Sequence, residues 1–161
     1  MGKKKKKDKK KKVPTPQFGQ KLKRYDYVDR LSVYAVAFND EGEVLIAKAR
    51  GRMTLPGGGV EEGEKPKQAL KREILEETGW QVDVVKRIGK ANQWTYSSRK
   101  KIASNKLGRF YLVRLVRKHH GPLEEDHFEK WMTPEKAFKQ LGRRFQRWAL
   151  ERALALKKKK G

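Results

Sequence analysis

Apolar and polar positions divide this chain into short β-type runs and two helical ones. SVYAVAF (32–38) is almost wholly apolar, and EVLIAKAR (43–50) resumes that character after the polar tetrapeptide Asn39-Asp40-Glu41-Gly42. Turn chemistry between two such runs predicts a hairpin. MTLPGGGV (53–60) reads as a short strand ending in a glycine loop. The period then changes. In PKQALKREILEET (66–78), Leu70 and Ile74 lie four apart with Ala69 beside them, a helical stripe. Pro66 suits the first helical position, where its missing N–H has no partner to lose, and Gly79 supplies the stop. QVDVVKRIG (81–89), ANQWTYS (91–97) and RFYLVRLVRK (109–118) read as strands, separated by a basic loop at 98–108 and followed by a loop at 119–127. A last helix is predicted over 134–156, with Thr133 as N-cap and Pro134 at its first position. Phe138, Leu141, Phe145 and Trp148 give it a packed face, and Gly142 is where it would break. Residues 13–30 read as an irregular entry. Strands, a helix, more strands and a helix, with no internal repeat, predict an α+β fold.

Charge changes this picture at the ends. The 161 residues suffice for one domain with a real core. Lysine and arginine number 42 against 19 acidic residues, a formal net charge of +23. Lysine runs fill 1–12 and 157–160. Like-charge runs cannot bury enough apolar surface to fold. We therefore expect a disordered poly-Lys arm over 1–12, a single domain over 13–156 and a disordered basic tail over 157–161. The body between the tails is itself basic, and such an excess attracts polyanions: nucleic acid, nucleotides or acidic membranes. A solubilising role for the tails is the plainer reading. No cysteine is present, which excludes disulfides and thiolate metal sites. No apolar run approaches the ~18 residues of a membrane span, and no apolar signal core follows the N-terminal lysines. A soluble, cytoplasmic protein without a membrane span is expected.

Against that basic background stands GGGVEEGEKPKQALKREILEETGW (57–80). On a helix, Glu73, Glu76 and Glu77 occupy positions i, i+3 and i+4 and share one face. Three like charges so close repel unless something positive neutralises them, and Arg72 is the basic residue on that turn. A hard divalent cation such as Mg²⁺ or Mn²⁺ takes a cluster of oxygens of this kind, bridges phosphate oxygens and activates water. The glycine loop lets backbone carbonyls and amides approach the same place. The plain alternative is a solvated acidic face paired with Lys67 and Lys71.

The full spacing decides between them. Gly58, Glu64, Arg72-Glu73-Ile74, Glu76-Glu77 and Gly79-Trp80 fill every fixed position of the Nudix box, and the chain resembles the Nudix (MutT-like) hydrolase family. The resemblance implies an α/β/α sandwich with a mixed central sheet, a catalytic loop-helix and a C-terminal helix. It implies Mg²⁺-dependent hydrolysis, by metal-activated water, of a pyrophosphate bond in a nucleoside diphosphate linked to a group X, with Mn²⁺ as a substitute metal. Carried over by position, Glu73, Glu76 and Glu77 are metal ligands, and Glu73 or Glu77 assists deprotonation of water. The Gly58 carbonyl completes the shell, Glu64 and Arg72 support it, and Gly79 ends the helix. Some members of the family take a further glutamate from a late loop as base or extra ligand; Glu124, Glu125 and Glu129 are the candidates, with Glu125 ahead, and a plain surface position is the alternative for each. His119, His120 and His127 lack metal-ligand spacing and read as loop residues.

Outside the box, Arg50 and Arg52 are candidate phosphate contacts, as are Arg99, Lys100, Lys101 and Lys106. Trp94 and Tyr96 are candidates to stack on a base. Met53 stands where many relatives carry an aromatic residue. The short chain resembles the small members that act on (deoxy)nucleoside triphosphates or related nucleotides. The alternatives are an RNA 5′-end pyrophosphohydrolase and a catalytically silent Nudix module that binds nucleic acid. A monomer or a homodimer fits either.

Overall fold

The computed structural model describes residues 13–49, 51–121, 123 and 127–159. The N-terminal arm, Arg50, Glu124, Glu125 and the last two residues lie outside these. The elements run β1 (Gln17–Phe18), β2 (Tyr27–Ala37), β3 (Val44–Ala49), β4 (Arg52–Thr54), β5 (Gly57–Gly59), α1 (Pro66–Thr78), β6 (Trp80–Ser97), β7 (Ile102–Lys118), β8 (His127–Met132), α2 (Pro134–Gln140) and α3 (Arg144–Lys158).

The unbroken apolar run in β2 reflects burial on both of its faces. Val33, Ala35 and Ala37 point one way, onto Ala69, Leu70 and Ile74 of α1. Tyr34 and Val36 point the other way, into a core shared with Phe145, Ala149 and Leu150 of α3. A strand covered on both sides sits inside a sheet rather than at its edge. Accordingly β2 lies between β7, parallel to it, and β5, antiparallel, in a mixed sheet ordered β1-β6-β7-β2-β5. A second, antiparallel sheet is ordered β4-β3-β8. Helices on both faces of the larger sheet make the expected α/β/α sandwich.

Several boundaries differ from the sequence reading. The turn at 39–42 forms, with the Asn39 carboxamide accepting from the Glu41 and Glu43 amides. The predicted hairpin ladder does not. One bridge, Phe38 to Val44, joins the two runs before β3 departs into the second sheet. The irregular entry is shorter than expected, because β2 begins at Tyr27. The strands read at 81–89 and 91–97 are one long strand, β6, which absorbs three register shifts against β7. β7 begins at Ile102, so the basic loop shrinks to 98–101.

The last helix does break near Gly142. The Gly142 amide donates to the Met53 carbonyl at 3.3 Å, which draws the backbone towards β4 before α3 restarts. Leu141 and Phe145 are buried as expected, whereas Phe138 is 39% exposed. α3 continues to Lys158, so Lys157 and Lys158 are helical rather than part of a tail.

Candidate metal and phosphate site

Two close approaches bring the glycine loop and α1 together. β5 lies opposite Ser32–Tyr34 of β2, and a Cβ on Gly57 (φ 154°) would overlap the Val33 carbonyl oxygen. Only glycine lets the loop lie this close. A Cβ on Gly58 would stand 2.6 Å from the Glu73 carboxyl carbon, so the bare backbone of the loop abuts the acidic face of α1. α1 opens at Pro66, with the Lys65 amide donating to Gln68 Oε1 at 3.0 Å, and ends on Gly79 at φ 77°. The Gly79 carbonyl accepts from the His119 amide at 2.8 Å, which fixes the exit of the helix.

Arg72 gathers the carboxylates. Its Nε and Nη2 donate to the two oxygens of Glu64 at 2.7 and 2.9 Å, a bidentate pair. Its Nη1 donates to Glu73 at 3.0 Å and Glu76 at 3.3 Å, and Nη2 also reaches the Gly59 carbonyl at 3.2 Å. Glu77 Oε2 accepts from the Gly57 amide at 3.2 Å. Glu64 is held down at about 2, first by the Arg72 hydrogen bonds and then by the Glu61 amide. Burial raises Glu73 above the ordinary carboxylate range, against the pull of Arg72.

These contacts test the predicted donor set. Glu73, Glu76 and Glu77 do share one face of α1, but Arg72 holds the first two and the loop amide holds the third. Among the described residues no three carboxylate or imidazole groups converge on one point. The chemistry of the set still fits a hard cation. One guanidinium faces Glu64, Glu73 and Glu76, with Glu61 at 3.8 Å as well. Negative charge is therefore in excess at this spot of a strongly basic chain, and all the donors are oxygens.

A cleft of about 470 Å³ opens beside the loop. Gly57, Gly58 and Glu77 line it together with Tyr34, Arg52, Arg99, Lys106 and Arg143. Lys106 is pushed down to about 8, mainly by burial and then by Arg143, Arg52, Arg30 and Lys100. Burial also lowers Arg143, with Arg52 adding to the effect. A neighbouring hollow shares Lys106 and Arg143 and adds Arg30, Lys100, Ser32 and Ser104. The described lining of the cleft thus sets one carboxylate, Glu77, among four cations, Arg52, Arg99, Lys106 and Arg143.

A family model, the NUDIX domain, matches residues 28–153. The chain belongs to the Nudix family. Its fold agrees with that of solved relatives. A NUDIX hydrolase from Nitrosomonas europaea gives a TM-score of 0.66 at 20% identity, covering 79% of this chain and 89% of that one. A MutT protein from Methanosarcina mazei Go1 gives 0.61 at 25% identity, covering 79% and 94%. Among curated relatives, an RNA pyrophosphohydrolase of Vibrio atlanticus is 40% identical over 67 residues, 40% of this chain and 39% of that protein. One from Pseudoalteromonas translucida is 30% identical over 104 residues, 63% of this chain and 54% of that protein. The chain thus spans about two fifths to one half of the length of these relatives.

Within this Nudix domain the remaining candidates divide. Arg52, Arg99 and Lys106 line the cleft. Tyr96 reaches its rim, but the ring stacks on Tyr25 at 4.1 Å. Trp94 lies edge-on to Tyr27 at 4.9 Å and is absent from the cleft lining. Glu129 is ion-paired with Lys118 and is likewise not part of that lining. Sequence reasoning missed Arg143, Tyr34 and Gln146. Nothing local marks them, since each acts through a partner far along the chain. Gln146 Oε1 accepts from the Leu55 amide at 2.8 Å and so anchors the start of the glycine loop to α3.

Proposed function

We propose that this protein hydrolyses a pyrophosphate bond in a nucleoside diphosphate-X substrate, with Mg²⁺ or Mn²⁺ held by Glu73, Glu76, Glu77 and the Gly58 carbonyl. The observation that carries this reading is the cleft that brings Gly57, Gly58 and the α1 carboxylate Glu77 together with Arg52, Arg99, Lys106 and Arg143, next to the Glu64, Glu73 and Glu76 carboxylates gathered on Arg72. When bound, the cation supplies charge for the phosphates and lowers the pKa of water. The cationic wall binds and orients the phosphate chain. Water adds to one phosphorus, the bridging P–O bond breaks, and the leaving phosphate departs with the electron pair. Glu73 or Glu77 takes the proton from that water. A carboxylate whose pKa is raised by burial suits that task, because its basicity moves towards neutral pH. Arg72 and Glu64 hold the loop against the helix. A monomer or a homodimer fits this reading. A cytoplasmic setting belongs to the same reading; among the described residues no helix is long and apolar enough to cross a membrane.

X is read first as a small group, with a (deoxy)nucleoside triphosphate as substrate. A second reading, removal of pyrophosphate from an RNA 5′ end, is favoured by the curated relatives, each named an RNA pyrophosphohydrolase. The test is Mg²⁺-dependent release of phosphate or pyrophosphate from nucleoside triphosphates, oxidised dGTP, ADP-ribose, nucleotide sugars, dinucleoside polyphosphates and 5′-triphosphate RNA. Wild type is compared with Glu76→Gln. Metal-dependent turnover that the variant loses by about 100-fold or more supports the hydrolase, and the preferred substrate names X. No turnover on any of them, with RNA binding intact, would leave a catalytically silent binding module.

A further inference from the structure

The basic surface carries a second feature that the hydrolase reading does not use. Tyr25, Tyr27, Trp94 and Tyr96 form a connected group of rings outside both hydrophobic cores. Tyr25 stacks on Tyr96 with planes 13° apart, Tyr27 meets Trp94 edge-on, and Tyr25 and Tyr27 meet edge-on at 6.4 Å. Cations sit on the rings: Lys21 Nζ lies 5.0 Å from the Trp94 ring centre, and the Arg24 guanidinium 5.0 Å from that of Tyr25. Tyr96 is 40% exposed, and the other three rings are half-buried.

The strand register places this group. Tyr96 of β6 and Tyr27 of β2 are both opposite Ala103 of β7, so they flank it on one face of the sheet. Thr95, Ser97, Ser104 and Lys106 belong to the other face and line the cationic hollow. The same strands thus carry the phosphate wall on one side and an aromatic ledge on the other. The β6–β7 turn joins them, since Ser97, Ser98 and Arg99 line the cleft directly after Tyr96. Lys100 and Lys101 are exposed on that turn, and Lys23 is exposed in the segment that leads into β2. Asp26 and Asp29 are the carboxylates of the entry to β2, and cations outnumber them.

We propose that this ledge docks single-stranded nucleic acid. Tyr96, backed by its stack on Tyr25 and exposed beyond it, offers a ring to a base, and Lys21 and Arg24 on the neighbouring rings offer charge to the phosphates. Paired bases hide their faces, so a duplex has nothing to stack there. A strand entering the cleft would cross Arg99 and Lys100 and then meet Tyr96. The inference goes beyond the hydrolase reading and does not require it, because binding of a strand with no cleavable bond is enough.

The experiment is fluorescence anisotropy with a dye-labelled, 5′-hydroxyl RNA of about 10 nucleotides, within the span such platforms cover. It uses the full chain at raised salt, where lysine–phosphate contacts of the tails fade. Loss of a stacking ring in Tyr96→Ala is expected to weaken binding at least about 5-fold, and Tyr96→Phe to stay within about 2-fold of wild type. Lys21→Ala removes only an exposed cation and leaves the fold intact; about a 2- to 5-fold loss is expected, which decides the matter if Tyr96→Ala proves unstable. A duplex of the same sequence should bind more weakly and ignore Tyr96→Ala. Lys21→Ala and any folded Tyr96→Ala binding within about 2-fold of wild type would overturn the proposal. So would a duplex that loses as much as the single strand. Glu76→Gln keeps the ledge affinity whatever it does to hydrolysis, so the two readings fail separately.

Discussion

Arg72 donates to Glu64 through Nε and Nη2 and to Glu73 and Glu76 through Nη1, so removing it strips three carboxylates of their shared cation. The pH dependence of that loss has a definite sign. Glu64, held at about 2 in the fold, stabilises the protein above the unfolded value of about 4.3, and this contribution fades as pH falls towards 2. Glu73 works the other way. Its pKa is raised by burial, so its contribution is full below the unfolded value and is lost as pH rises through the raised one. Without Arg72 the charged form of Glu73 is still less favoured. The gap in melting temperature between wild type and Arg72→Ala should therefore be widest near neutral pH and should close between about pH 4.3 and 2. Mg²⁺ should raise the melting temperature of Arg72→Ala more than that of wild type, since the cation then supplies the missing charge. Melts that keep a constant gap across this range, or that ignore Mg²⁺, would remove Arg72 from the charge balance.

At the scale of elements, the glycine loop is held from behind. Gln146 of α3, fully buried, accepts from the Leu55 amide, and Gln93 of β6 accepts from the Phe145 amide at 3.3 Å. Gln146→Leu fills the space but leaves the Leu55 N–H buried without a partner, at a cost of about 1–3 kcal/mol. Chemical denaturation should show that loss. Turnover should fall as well, because Leu55 leads directly into Gly57 and Gly58. Unchanged stability would mean that another acceptor reaches Leu55. This anchoring was not legible in the sequence, whereas α1 was. Pro66, the Leu70–Ile74 stripe and Gly79 are local signals for a local structure. Strand partners are chosen at long range. The Asn39–Gly42 turn formed as its chemistry predicts, yet β2 and β3 separate after one bridge, because β2 needs a neighbour on each side and two covered faces.

Over the whole molecule, net charge +23 is arranged rather than spread evenly. Glu64, Glu73 and Glu76 gather on Arg72, and Arg52, Arg99, Lys106 and Arg143 line the cleft with Glu77. The acidic edge was legible in the sequence because its residues lie within 24 positions of one another. The cationic lining was only partly legible, since Arg52, Arg99, Lys106 and Arg143 come from distant segments and each alone looks like surface charge. Crowding gives that wall a testable signature. Burial and four neighbouring cations hold Lys106 at about 8, so it is charged below that pH and neutral above it. If it grips a phosphate, KM should be flat below about pH 8 and rise above it, while kcat shows no break there. Lys106→Gln should have a raised KM below about pH 8, where wild type is charged, and lose the break. Lys106→Arg, charged throughout, should keep a low KM across the range. Added salt should raise KM for wild type more than for Lys106→Gln, because screening acts on a charge the variant lacks. A break that persists in Lys106→Gln would assign the titration to another group and take Lys106 off the phosphate wall.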